Sequence, residues 1–151
     1  LLVCEGGRKA ALMVKIMSKL LLLSHANLSE AFYQTIELIM GKPDDRVSYI
    51  TLPYGANLEE YQTEIECKVK EAKEDGILIL TDLFGGSPFM ISTKVYGKLQ
   101  DQIPMEIITG MNLPMVVELM TNLDKPVSEL KAIAKDIGSK GIIDFSEMMK
   151  K

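Results

Sequence analysis

The sequence predicts an α/β fold, with one doubly wound, mostly parallel central sheet and helices on both faces. Three observations carry this expectation. Short, wholly apolar runs recur at residues 20–23 and 77–80, with β-rich segments at 47–52 and 105–109. Each is followed by a longer segment with apolar residues at helical spacing. Runs and helical segments alternate along the chain, the pattern of βαβ units, in which strands buried on both faces read as near-continuous apolar stretches.

Taken in order, the first strand ends at Ser24-His25. A helix follows over 28–40, with Leu28, Phe32, Ile36 and Ile39 as its apolar stripe and Gly41 and Pro43 as its stop. The second strand ends at Pro53-Tyr54-Gly55, and Asn57 caps a helix to about residue 74 that gathers Leu58, Tyr61, Ile65, Val69 and Ala72 on one face. Gly76 ends that helix, and the uniformly apolar run after it reads as a central strand closing on Asp82. Pro88 opens a third helix to about residue 98. The fourth strand is followed by helices over 112–120 and 127–137, and Gly138 and Gly141 precede a last short strand over 142–145. Right-handed crossovers then bring His25, Asp82 and the 110–112 turn to one edge of the sheet, where ligands of open α/β sheets bind.

At 151 residues and 47% hydrophobic content, the chain is sized for a single core. Its 17 basic and 21 acidic residues give a net charge of −4, and no basic face points to nucleic acid. No apolar stretch approaches the roughly 18 residues needed to span a bilayer. Met17-Ser18-Lys19 has the form of a natural start, so residues 1–16 are expected to be a leader and 17–151 a single domain. Setting aside Glu5, Arg8, Lys9 and Lys15, the domain carries 14 basic and 20 acidic groups. Cys4 falls in the leader, which leaves Cys67 alone, an argument against a disulfide framework and for a reducing, cytoplasmic location.

His25 is the only histidine, so any imidazole chemistry rests on it. A carboxylate bonded to one ring nitrogen would fix the tautomer and leave the other nitrogen as nucleophile, and Asp82 is the candidate orienter. The alternatives are a histidine that merely caps a strand and an aspartate that caps the next loop. In Gly85-Gly86-Ser87-Pro88 the glycines let backbone amides approach an anion, Ser87 offers a hydroxyl, and the coming helix adds its dipole. A tight turn with Ser87 as N-cap is the competing reading. The hydrolase pattern G-x-S-x-G is broken at Phe89, and no Walker loop or dinucleotide fingerprint occurs. No metal and no cofactor are expected.

Three pieces of this sequence resemble the enzyme IIA component of mannose-type sugar phosphotransferase systems. They are the strand-end His25, the segment Asp82-Leu83-Phe84-Gly85-Gly86-Ser87-Pro88-Phe89, and Thr109-Gly110-Met111-Asn112-Leu113-Pro114-Met115. The resemblance implies that His25 accepts a phosphoryl group from the carrier HPr and passes it to a IIB component for sugar uptake. It further implies that Asp82 orients His25, that Ser87 with Gly85 and Gly86 binds phosphate, and that contact with the membrane is through the transporter complex alone. It also implies a homodimer in which an antiparallel last strand is exchanged. One departure is Leu83, where many members carry a threonine hydroxyl. Rival classes are a receiver domain, which would need acidic residues where Ser24-His25 stand, the phosphotransfer subunit of a dihydroxyacetone kinase, and a non-catalytic binding module.

Overall fold

Each buried strand is apolar on both sides because each has a helical layer on both sides. The computed structural model describes residues 15–150 and, at its start, the backbone of strands β1 (Leu2–Glu5) and β2 (Arg8–Ala11). These two pair with each other as an antiparallel hairpin, Leu2 opposite Ala11. The domain proper begins at β3 (Lys19–Leu23) and continues through α1 (Leu28–Met40), β4 (Val47–Ile50), α2 (Leu58–Ala72), β5 (Ile77–Thr81), α3 (Ser87–Leu99), β6 (Met105–Thr109), α4 (Leu113–Met120), α5 (Val127–Lys140) and α6 (Phe145–Met148). Strands β3 to β6 form one all-parallel sheet in the order β4-β3-β5-β6.

Alternation along the strands divides the core in two. Leu20, Leu22, Leu78 and Leu80 face α1, α4 and α5, where they meet Ile36, Val116, Leu119 and Leu130. Leu21, Leu23, Ile77 and Ile79 face α2 and α3, where they meet Tyr61, Ile65, Val69, Val95 and Leu99. The eight strand side chains are all 0–1% exposed, and truncating any one to alanine would cost about 2–5 kcal/mol. The two-sided expectation therefore holds, and the strand read as central has β3 and β6 as its neighbours.

Two expectations need correction. In α1 only Ile36 of the expected stripe is fully buried and Phe32 packs beside it, whereas Leu28 and Ile39 are exposed. The stripe is narrower because β4, the strand against which α1 leans, is the sheet edge. The last strand expected over 142–145 is not formed within the chain: α5 runs on to Lys140, and Asp144 opens the one-turn α6 instead. Asp144 Oδ1 accepts from the Glu147 backbone N–H at 3.0 Å and from Ser146 Oγ at 2.7 Å. A strand needs a ladder partner, whereas this turn closes on local bonds alone.

The two glycines expected to precede that strand serve packing. A Cβ on Gly138 would lie 2.6 Å from Met115 Cε, and one on Gly141 2.6 Å from Pro114 Cγ. Both let α5 press against α4. Asn112 ties the pair, its Oδ1 accepting from Met115 N–H at 3.1 Å while its Nδ2 donates to the Gly138 carbonyl at 2.9 Å.

Candidate active site

The sheet order places a topological switch point between β3 and β5, since the connection from β3 runs outward to β4 and the chain then returns to the other side of β3. The crevice beyond two such carboxyl ends is the expected site in an open α/β sheet. His25 follows β3 and Asp82 follows β5, so the two side chains meet there, and Asp82 Oδ2 accepts from His25 Nδ1 at 2.9 Å. The same oxygen accepts from the His25 backbone N–H at 3.0 Å. With Nδ1 donating, Nε2 keeps its lone pair. The imidazole is 46% exposed and the aspartate 12%, so the acid sits behind the ring.

The loop carrying His25 is fastened on both sides. Buried Ser24 accepts from the Ser29 N–H through Oγ at 2.6 Å, and Ser29 Oγ donates to the Ile50 carbonyl at 2.9 Å. Ala26 has φ of +50°, rare for a residue with a Cβ, and exchanges two backbone hydrogen bonds with Leu52 at 2.8 and 3.1 Å. That conformation costs about 1–2 kcal/mol in isolation and persists because the surrounding bonds fix it.

The Gly85-Gly86-Ser87 segment turns from β5 into α3. Gly85 has φ of +81° with open space about it, so glycine is required there by backbone conformation. Gly86 has an ordinary φ of −75° and is the N-cap of α3. A Cβ on it would stand 2.4 Å from His25 Cε1 and 2.9 Å from Nε2, so its lack of a side chain makes room for the ring. Ser87, expected in one reading to be the cap, is instead the first helical residue and is exposed, and no side chain caps the helix. The amide of Ser87 is among the N–H groups that an α-helix leaves unpaired at its start, and the dipole there favours an anion. Nε2, the exposed Ser87 and the helix start thus lie on one open ledge, suited to an anionic group attached to the ring.

Exposed apolar side chains occur on the same end of the sheet. Leu28, Tyr54, Leu58, Leu83, Phe84 and Met90 are exposed at the carboxyl ends of the strands or the starts of the following helices. Leu83 belongs to this surface, and Phe84, 73% exposed, stacks on Phe89 with ring centroids 4.9 Å apart. That surface has the composition of a protein-docking surface. Cys67 is exposed on α2. Among the described residues no group of three or more His, Cys, Asp or Glu side chains is placed to hold a metal, and no helix is long and apolar enough to cross a membrane.

Comparison with known proteins gives this ledge its context. The model of the EIIA-man family, described as the PTS system fructose IIA component, matches residues 19–137. This chain belongs to the EIIA-man family. The match starts at β3 and ends within α5, so it covers the whole parallel sheet and both halves of the site. Among relatives, the mannose-specific EIIAB component of Escherichia coli K12 is 33% identical over 125 residues, covering 79% of this chain and 36% of that protein. This EIIA-man chain therefore spans little more than a third of the mannose-specific relatives it matches. The sorbose-specific EIIA component of Lacticaseibacillus casei is 29% identical over 133 residues, 87% of this chain and 93% of that protein. The crystal structure of the phosphotransferase component EIIA from Streptococcus agalactiae superposes with a TM-score of 0.77 at 28% identity, covering 87% of this chain and 99% of that one. Membership of EIIA-man sets aside the receiver reading of the sequence.

Proposed function

We propose that this EIIA-man domain is a phosphoryl carrier of a sugar phosphotransferase system and that His25 Nε2 carries the phosphoryl group. Nε2 attacks the phosphorus of phosphorylated HPr, the donor's P–N bond breaks as the new one forms, and the group later leaves to a IIB component in the same way. Asp82 holds Nδ1–H so that Nε2 is the nucleophile, and it stabilises the positive charge that develops on the ring. Gly85 and Gly86 shape the turn, and the Ser87 amide and hydroxyl receive the phosphoryl oxygens at the start of α3. The carrying observation is the 2.9 Å contact between Nδ1 and Asp82, which leaves the opposite nitrogen beside Gly86. An open ledge at an end of the sheet that also exposes apolar side chains suits a protein donor and a protein acceptor, both met in the cytoplasm, with the membrane reached through the transporter alone.

The test is phosphorylation by phospho-HPr followed by intact-mass analysis. The parental chain gains one acid-labile phosphate and loses it to a IIB protein, while His25→Ala gains none. A stoichiometric acid-labile phosphate on the alanine variant overturns the assignment.

A second reading concerns assembly. The tail after α5 exposes Ile142 (84%), Ile143, Phe145, Met148 and Met149 to water. So much apolar surface on ten residues supports a homodimer in which this segment leaves α6 and pairs as an antiparallel strand with the partner's sheet. Among the described residues, no strand pairs with the outer sides of β4 and β6.

A further inference from the structure

Asp82 presents two carboxylate oxygens, and only Oδ2 is engaged, by the backbone and ring of His25. Its Oδ1 is buried without a hydrogen-bond partner. Among the described residues the other buried side-chain atoms in that condition are Tyr61 Oη, Thr81 Oγ1 and Thr109 Oγ1. They share one corner of the molecule. Thr81 is the last residue of β5 and precedes Asp82, and Thr109 is its register partner on β6. Alternation turns both toward α2 and α3, together with Ile77, Ile79, Met105 and Ile107. Tyr61 comes to the same core from the first turn of α2, which starts at the carboxyl ends of the strands, and its ring is 3% exposed.

A bare buried acceptor and a bare buried donor each forfeit their hydration, and a carboxylate lowers that cost by taking a proton donor. Tyr61 is the strongest donor of the three, because a phenol is more acidic than an aliphatic hydroxyl. Burial and the nearby Asp82 charge together push its ionisation well above the usual tyrosine range, so it stays a donor at every physiological pH.

We propose that Tyr61 is a positioning residue of this site: its hydroxyl donates to Asp82 Oδ1 through one bridging water, so that the carboxylate is held at both oxygens. The torsion that orients a carboxylate is soft. With Oδ1 held from α2, the plane of Asp82 is set, Oδ2 stays on Nδ1–H, and the tautomer that leaves Nε2 free is maintained. This inference rests on the reading of His25 as the phosphoryl acceptor, but its spectroscopic arm does not.

The experiment uses the chain labelled with ¹⁵N-histidine, whose single histidine gives one pair of ring-nitrogen signals without assignment. In the parental protein the Nδ1–H tautomer dominates. Tyr61→Phe keeps the ring and the melting transition, draws the two nitrogen shifts toward each other, and slows phosphoryl uptake from phospho-HPr by about 3- to 10-fold, the size of one ordinary hydrogen bond. Tyr61→Leu gives the same signature in the spectrum. In an Asp82→Ala background the Tyr61→Phe change has no further effect on either readout. Unchanged nitrogen shifts in Tyr61→Phe, or an effect that persists at full size without Asp82, overturns the proposal. Failure of the His25 reading would show separately, as parental protein that takes up no phosphate while the tautomer response to Tyr61→Phe remains.

Discussion

Gly86 and His25 share one space: the Cβ that any other residue would carry at position 86 falls 2.4 Å from Cε1 of the ring. Because the ring is half exposed, it can swing away, and the loss then falls on its bond to Asp82 and not on the core. Gly86→Ala is therefore expected to fold with a stability change under about 1 kcal/mol, yet to lose phosphoryl uptake by about 10²-fold or more as the nucleophile is misaligned. Parallel measurement of melting and of uptake decides it; a variant that loses both in proportion would return the segment to a simple turn.

Gly85 behaves in the opposite way. Its φ of +81° taxes any side chain, while nothing lies within 4 Å of the added Cβ. Gly85→Ala should cost about 1 kcal/mol of stability, with uptake per folded molecule reduced far less than in Gly86→Ala. Denaturant unfolding together with a single-turnover assay separates the two adjacent glycines.

Asp82→Asn keeps the shape of the side chain and removes its charge, so the ring can bond through either tautomer. The expected loss in transfer rate is about 10²-fold or more. ¹⁵N spectra of His25 should show the second tautomer populated. Transfer at the parental rate with an unchanged spectrum would leave Asp82 a structural cap.

Glu66 on α2 accepts from Gln62 and, at 3.0 Å, from Lys98 on α3, and these bonds hold its carboxyl below the usual glutamate range. A depressed folded-state value contributes stability above the unfolded glutamate range, and the contribution disappears as pH falls through the folded value. Glu66→Gln should thus melt lower than the parent near neutral pH, with the gap closing in acid. Added salt should narrow it too, since Lys98 is largely exposed. A gap that is constant with pH would point to packing instead.

Deleting residues 142–151 removes the exposed Ile142, Ile143, Phe145, Met148 and Met149 and leaves α5 and its contacts with α4 intact. Light scattering at low concentration is expected to show a dimer for the full chain and a monomer for the deletion. A truncated chain that stays dimeric would place the interface elsewhere, with the exposed Leu38, Ile39 and Met40 at the end of α1 as the alternative apolar face.

The parallel sheet was legible because residues 20–23 of β3 and 77–80 of β5 are all apolar, a pattern with few competing explanations. His25 and Asp82 were legible because each stands one or two residues past such a strand. The tail was not, since whether an apolar run pairs or coils depends on a partner, and Asp144 offers it a local bond that sequence periodicity does not weigh. Gly138 and Gly141 misled for a related reason: a glycine that admits a neighbouring helix looks, in one dimension, like a glycine that breaks its own. Tyr61 read as one more member of an apolar stripe, because the stripe records the ring and says nothing of where the hydroxyl ends.

The bonds at Ala26 and Leu52, with those at Ser24 and Ser29, make the histidine loop a fixed socket. Under the proposed carrier function nothing in it would have to open before a visitor arrives, so the pace of each handover would be set by how often two protein surfaces collide in the right orientation, with association rate constants of about 10⁵ to 10⁷ M⁻¹s⁻¹ expected for such docking. The relay's tempo would then follow the cellular abundance of its neighbours more closely than any motion of its own.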